Sequence, residues 1–579
     1  MDAINYQLSP TRVHGGIRFR YFNLSASSVN IAGKFNNWDT ESYKLEKYPC
    51  GIWEIVIPLD EGVHEYKFVV DNEWTHDPSN PCMMLNGLGG VNSVVEVRGD
   101  IKCYTPAPHL KAKGYGKLRA VESPKWVKDS IIYEIFPRVF SPEGTLNAIR
   151  WRIPEIYDLG VTCIWLMPIH PIGVYKRKGI LGSPYAISDY RRIHPDIGTV
   201  EDLRNLVRTA HAYGIRVIMD FVANHSAADC YLKEVHPNWY KKDAWGKPQY
   251  PGFGWTDVIG FDYNNRDLRN YMIETMLYYI RECDIDGYRC DVAALVPNDF
   301  WCEARDALKK VKPDSILLAE SHEPSHNATS FDLTYEENLP HILRKIFFQD
   351  ASARKIQDLI EGDKLNFPIE AIRMRYLENH DQPRAIWQVG KAGLKVASTL
   401  LFTLDGVPLI YNGQEIGEQK RIPLFDPFKI QWGTGNDNIR DLYKRLSRVR
   451  KSIPALRRGS LTFLDVDKDD KVIAYYREYG ESRVMVILNF TADKVKTRVS
   501  AAKEFVYKIS KTGKLSDVGE TPQQNEFPET DYLFTELLND QVPPISISKQ
   551  ELLGKEIIIG PYEAKIYSIN KAIPCRCIA

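Results

Sequence analysis

The sequence lacks the features that send a chain to a membrane, a polyanion or an oxidising compartment. No apolar run approaches the roughly 18 residues of a membrane-crossing helix. The opening segment MDAINYQLSPTRVHGG has no apolar core of secretory-leader length. Net charge is absent, since 75 basic residues balance 75 acidic ones. That removes the electrostatic footprint of a nucleic-acid or anionic-membrane binder. The ten cysteines are scattered, several of them in apolar runs (Cys163, Cys290), and the terminal CRC has no second pair to complete a zinc site. Reduced thiols in a cytoplasm are therefore the expectation. Internal repeats and low-complexity tracts are also missing.

What is there is length and aromatic content. A chain of 579 residues calls for more than one domain. Its 44% apolar and 26% charged residues are those of an ordinary globular protein. The 12 Trp and 32 Tyr suit a sugar binder, because pyranose rings stack on flat apolar faces, although most of them are expected in the core.

Residues 1–100 read as an all-β module, with short alternating runs such as GIWEIVIPL and HEYKFVV separated by turn residues. Residues 101–125 lack periodicity and read as a linker. From 126 to 454 apolar strand-like runs alternate with amphipathic stretches. The runs are SIIYEIFP, VTCIWLMPI, IRVIMDFV, DIDGYRCDV, SILLAES, SFDLTY, MRYLEN and VPLIYN. Eight β/α units over this length predict an α/β fold, a (β/α)8 TIM barrel. The third unit carries an irregular excursion, residues 226–262, read as a small inserted subdomain over the barrel mouth. Residues 455–579 read as a C-terminal β-sandwich.

In such a barrel, active groups sit at the C-terminal ends of strands. Asp291 and Glu320 stand near the ends of the fourth and fifth runs, and Asp381 follows the seventh. Two carboxylates flanking a glycosidic bond are what glycoside hydrolysis requires: one ionised, the other protonated until it donates to the leaving oxygen. Strand alternation places Arg289 on the face of Asp291. There it is expected to lower that carboxyl's pKa, while the apolar run ILLA is expected to raise that of Glu320. A structural ion pair explains Arg289 and Asp291 equally well when they are taken alone. DFVANHS and ENHDQPR shift the balance, because each puts a histidine beside an asparagine at a strand end of one barrel.

The ordered run DFVANH, GYRCD, LLAE, ENHD resembles the four short conserved regions of glycoside hydrolase family 13, the α-amylase family. GSPYAISDYRRIHPDIGT and GVPLIYNGQE are similar to that family's second- and eighth-strand segments. The resemblance implies a retaining hydrolase of α-1,4-glucosidic bonds in glycogen, starch or maltodextrins. It makes Asp291 the nucleophile, Glu320 the general acid and base, and Asp381 the stabiliser of the distorted sugar. Arg289 would orient Asp291, His225 and His380 would bond the sugar, and Tyr185 would stack on it. Asp220 would pair with Arg289 at the barrel base. Many relatives carry Lys and His where Ala294 and Leu295 stand, so acceptor binding departs from the pattern. No metal or other cofactor is expected; calcium, with Asn224 the candidate ligand, is the alternative. Branching, debranching and transglycosylating enzymes of the same family remain the alternative activity. A non-catalytic glucan-binding protein is the reading from another class.

AGKFNNWD, EGVHEYKFVVDNEWTHDPSNP and LGGVNSVVEV resemble the glycogen-binding domain of AMP-activated kinase β subunits, carbohydrate-binding module family 48. The resemblance implies that Trp38 and Trp74 stack on glucose while Lys67, Leu88 and Asn92 complete the site. A structural brace without sugar binding is the other reading of this module. The expected partner is an α-glucan, with neither nucleic acid nor membrane.

Overall fold

The computed structural model describes residues 10–13, 16–23, 26–47, 52–60, 62–77, 80, 83–85, 91–97, 115–242, 246, 248–251, 255–434, 437–500, 532–539, 541–548 and 554–571. The chain forms two compact units, residues 1–114 with 250–256, and residues 115–249 with 257–579. Leu88 and residues 101–114 of the expected linker lie outside the described residues.

The first unit packs two antiparallel sheets face to face. One runs Thr11–Val13, Gly16–Phe22, Ile52–Ile57, Glu46–Lys47; the other runs Val29–Gly33, Gly62–Val70, Val91–Val97, Met83–Leu85, with Glu73–Thr75 added on Gly62–Val70. Alternation turns Phe19, Ile31, Trp53, Tyr66, Phe68 and Val95 into one shared core. The buried Tyr66 hydroxyl stays satisfied there, donating to Asp77 Oδ2 at 2.6 Å and accepting from Asn80 Nδ2 at 2.9 Å.

The second unit contains a closed barrel of eight parallel strands. They are β1 (Ile132–Ile135), β2 (Cys163–Leu166), β3 (Arg216–Phe221), β4 (Gly287–Cys290), β5 (Ile316–Ala319), β6 (Leu333–Glu336), β7 (Ile372–Arg375) and β8 (Val407–Tyr411). Six lie within the predicted runs, and β6 overruns its own by one residue. The seventh ends at Arg375, so most of MRYLEN lies beyond the strand rather than in it. Ile132, Trp165, Ile218, Leu318, Tyr335, Met374 and Leu409 fill the interior, which makes it a packed core and not a pore.

Local chemistry sets the connections. Thr199 caps helix Val200–Ala212 in a reciprocal box with Asp202. Asn265 caps helix Arg266–Cys283, and Asp284 ends it in the left-handed region (φ 57°). Gly287 then opens β4 at φ +141°, where a Cβ would lie 2.1 Å from Ile316 O, so only glycine fits. The excursion after β3 forms a two-stranded ribbon, His225–Ala227 with Val258–Gly260, and the short helix Leu232–Val235.

The C-terminal part stacks a six-stranded sheet on a three-stranded one, with Tyr476, Ile487, Val499, Phe534 and Ile559 between them. Two buried arginines join it to the barrel. Arg477 donates to Thr403 O (2.6 Å) and Gly459 O (2.9 Å). Arg450 donates to Phe402 O (3.0 Å), Leu456 O (3.0 Å) and Gly406 O (2.6 Å). Both thus tie off the carbonyl end of helix Ala385–Thr403.

Candidate active site

Strand register builds the centre. Asp220 on β3 pairs side by side with Arg289 on β4, each the penultimate residue of its strand. Their contact therefore floors the mouth, one residue below the strand ends, and is not at the barrel base as expected. Arg289 has no exposed side-chain surface. Its Nη1 lies 3.0 Å from Asp220 Oδ1 and 3.0 Å from Asp291 Oδ1, and its Nη2 lies 2.8 Å from Glu320 Oε1. Nε donates to the Tyr335 hydroxyl at 3.1 Å. One guanidinium thus gathers three carboxylates from three strand ends, using the planar fork that lysine lacks. The rings of Trp165, Tyr185 and Tyr335 surround it at 5.0–5.7 Å.

Burial changes the electrostatics from those expected. Asp291 is held well above the usual carboxylate range. Burial is the main cause; the neighbouring Glu320, Asp220 and Asp381 add to it and together outweigh Arg289. The expected lowering by Arg289 is therefore reversed in the free site. Asp220 is raised too, chiefly by burial. It also accepts from Trp165 Nε1 (3.2 Å) and the Tyr185 hydroxyl (3.3 Å).

The backbone contributes one more donor. Val292, directly after Asp291, sits at φ 37°, ψ 47°, a left-handed conformation that a β-branched residue rarely adopts. Its N–H donates to Glu320 Oε2 at 2.7 Å.

Asp381 stands beyond β7 with half of its side chain exposed. Burial works to raise its pKa, but His380, whose Nε2 lies 3.1 Å from Oδ2, brings it to about 2. Asn379 Oδ1 accepts from the N–H groups of Asp381 and Gln382 at 3.0 Å and so fixes this turn. Tyr185 stacks on His380 (5.5 Å, 23°), and its hydroxyl lies 2.8 Å from Nε2. His225 is buried, and burial with nearby Lys178 pushes it down to about 3, leaving a neutral ring. The structure thus brings Asp220, Arg289, Asp291 and Glu320 into one cluster that Tyr185 joins to His380 and Asp381.

Asn224, the candidate calcium ligand, is buried just beyond the end of β3. Its carbonyl accepts from Phe261 N–H at 3.1 Å, and its amide nitrogen faces His225 Nδ1 at 3.2 Å. Among the described residues no three His, Cys, Asp or Glu side chains form a metal-ligand group.

Sequence reasoning missed Glu134 on β1, whose Oε1 lies 2.6 Å from His380 Nδ1. The available signal was a single carboxylate inside the apolar run IIYEIF. It missed Trp165 and Tyr335 as well, which read only as core.

In the first unit, the rings of Trp38 and Trp74 lie 6.1 Å apart, and Trp74 is 46% exposed. Lys67 is half-buried on the strand that pairs with Glu73–Thr75. Asn92 is buried, and its amide donates to Glu65 Oε2 at 2.8 Å.

Comparison with known proteins fits this arrangement. Residues 122–250 and 238–455 match the catalytic domain of α-amylase. Residues 17–102 match the glycogen recognition site of AMP-activated protein kinase, and residues 461–524 the C-terminal domain of maltogenic amylase. An α-amylase of Haloarcula japonica is 30% identical over 66% of this chain and 58% of its own length. A cyclomaltodextrinase of Geobacillus thermopakistaniensis is 30% identical over 64% of this chain and 70% of its own. Among solved structures, a maltogenic α-amylase from Thermotoga neapolitana has a TM-score of 0.67 and 33% identity, covering 76% of this chain and 99% of that one. With the matched catalytic domain spanning more than half the chain, this protein belongs to the α-amylase family.

Proposed function

We propose that the protein hydrolyses α-1,4-glucosidic bonds of glycogen, starch or maltodextrins with retention of configuration. The observation that carries this is the single buried guanidinium of Arg289 holding Asp220, Asp291 and Glu320 together at the barrel mouth. In this reading Asp291 attacks the anomeric carbon as Glu320 protonates the leaving oxygen. Water, deprotonated by Glu320, then releases the covalent glycosyl-enzyme. Asp381 accepts hydrogen bonds from the hydroxyls of the distorted ring, and Tyr185 supplies its stacking face. The matched relatives named α-amylase and cyclomaltodextrinase support hydrolysis as the outcome.

The Trp38–Trp74 pair supports glucan binding by the first unit. Cys163, Cys230, Cys283, Cys290 and Cys302 are unbridged among the described residues, which supports a reducing, cytoplasmic setting. No described helix is long and apolar enough to cross a membrane.

The deciding experiment is a chromatographic product profile on maltoheptaose, pullulan and amylopectin, with the anomer of the first product read by NMR. Short α-maltooligosaccharides from maltoheptaose, abolished in Asp291→Asn, are expected. Products longer than maltoheptaose, or turnover surviving Asp291→Asn, would overturn the assignment.

A further inference from the structure

The ring of His380 is held on every side. Trp165 meets it edge-on at 5.8 Å, and Tyr185 stacks on it at 5.5 Å. One nitrogen faces Glu134 Oε1 at 2.6 Å, and the other faces Asp381 Oδ2 at 3.1 Å. Glu134 itself has no exposed side-chain surface. Its second oxygen, Oε2, has no hydrogen-bond partner among the described residues. A fully buried carboxylate is costly unless it is paired, and the partner this one has is His380.

The Tyr185 hydroxyl shares Nε2 with Asp381 at 2.8 Å, and its own proton is directed to Asp220 Oδ2 at 3.3 Å. An N–H at each ring nitrogen then serves Glu134 on one side and Asp381 with Tyr185 on the other, and an imidazole with both is the cation. The titratable groups around the pair are Asp381, Asp220, Arg289, Glu378, Tyr185, Tyr335 and Tyr411. Asp381, held down at about 2, favours that cation and Arg289 opposes it; burial raises Asp220, Glu378 and Tyr411, so the charge that stabilises the ring comes chiefly from the two carboxylates that touch it. A buried ion pair that served stability alone would not need to end on a half-exposed carboxylate at the mouth; this one ends on Asp381.

We propose that Glu134 is a positioning residue of the catalytic machinery: through His380 it fixes the orientation of Asp381, forming a Glu134–His380–Asp381 chain that runs from the barrel interior to the mouth. This rests on the reading that Asp381 grips the distorted sugar. The contact it supports is then made mainly in the transition state, so its loss falls on kcat more than on KM. Glutamine at 134 keeps the size and one acceptor oxygen but gives up the charge that holds the second ring proton.

The test uses the full chain with maltoheptaose. Glu134→Gln is expected to lower kcat about 30- to 300-fold with KM within about threefold, in the range of lost positioning or acid–base groups. In the unmodified protein carrying 15N-labelled histidine, the His380 signals, assigned by their absence in His380→Gln, are expected to show both nitrogens protonated at pH 7.5. In Glu134→Gln one of them loses its proton at that pH. An unchanged kcat in Glu134→Gln, or a neutral His380 ring in the unmodified protein at pH 7.5, overturns the proposal. The ring measurement needs no Glu134 variant, so it decides even if Glu134→Gln folds poorly. Failure of the underlying reading shows separately, as an Asp381→Asn variant with full kcat.

Discussion

Val292 holds a left-handed backbone that points its N–H at Glu320 Oε2, 2.7 Å away. A β-branched residue in that region stores strain of about 1–3 kcal/mol. Glycine relieves it. Val292→Gly is expected to raise the unfolding temperature while lowering kcat severalfold, because a freer backbone no longer fixes the N–H. Calorimetry and initial rates on maltoheptaose check both. A variant with higher melting temperature and undiminished kcat would show that the strain has no catalytic purpose.

Arg289, itself without exposed side-chain surface, bridges three carboxylates. Arg289→Lys keeps the charge but cannot span Asp220, Asp291 and Glu320 in one plane. We expect kcat to fall at least 10³-fold. Arg289→Leu is expected to cost about 3–5 kcal/mol of stability as well, since it strands buried charge. Denaturant unfolding beside kinetics separates the two effects.

At the opposite end of β4, Asp286 has no exposed side-chain surface and contacts His211 Nε2 (2.7 Å), Arg216 Nη1 (2.8 Å), Lys312 Nζ (3.0 Å) and Val217 N (2.8 Å). Burial would raise its pKa, but the His211 hydrogen bond and Lys312 bring it to about 2. A folded-state pKa below the unfolded value gives stability that is present above about pH 3.9 and lost as pH falls towards 2. The shift corresponds to about 2 kcal/mol. Asp286→Asn should therefore be less stable at pH 7 and show a flatter loss between pH 4 and 2. Urea midpoints across that range test it.

In the first unit, Trp74 offers the more exposed ring of the Trp38–Trp74 pair. Trp74→Ala is expected to weaken retention on glycogen about tenfold, the equivalent of about 1.4 kcal/mol. Hydrolysis of maltoheptaose should stay unchanged. Equal retention by both proteins in affinity electrophoresis would make the unit a brace.

The barrel and the mouth residues were legible because each rests on local pattern. Strand runs carry their own apolar signature; Asp291 and Glu320 stand near the ends of two of them, and Asp381 follows a third. Six strands fall within the expected runs and β6 overruns its own by one residue, but β7 is displaced because its sequence, IRMR, alternates buried arginine with core residues. Arg375 is matched there by Asp405 and Asp363, partners distant enough in sequence to leave no pattern. The proton affinity of Asp291 was hidden for a related reason. Arg289 is two residues away and visible, whereas Asp220, Glu320 and Asp381 converge only when the barrel closes. Glu134 looked like an imperfection in an apolar strand because its partner His380 is 246 residues away.

Arg450 and Arg477 have a consequence for dissection of the chain. The last carbonyls of helix Ala385–Thr403 are silenced by guanidinium groups, one of which, Arg477, belongs to the C-terminal sheet. A chain cut after residue 455 would take the Arg477 donor away from Thr403 O and expose barrel surface that the sheet now covers. That helix leads directly out of the segment carrying His380 and Asp381. Severing the C-terminal part would thus be felt at the mouth, and the sandwich acts as the far clamp on the seventh β/α unit.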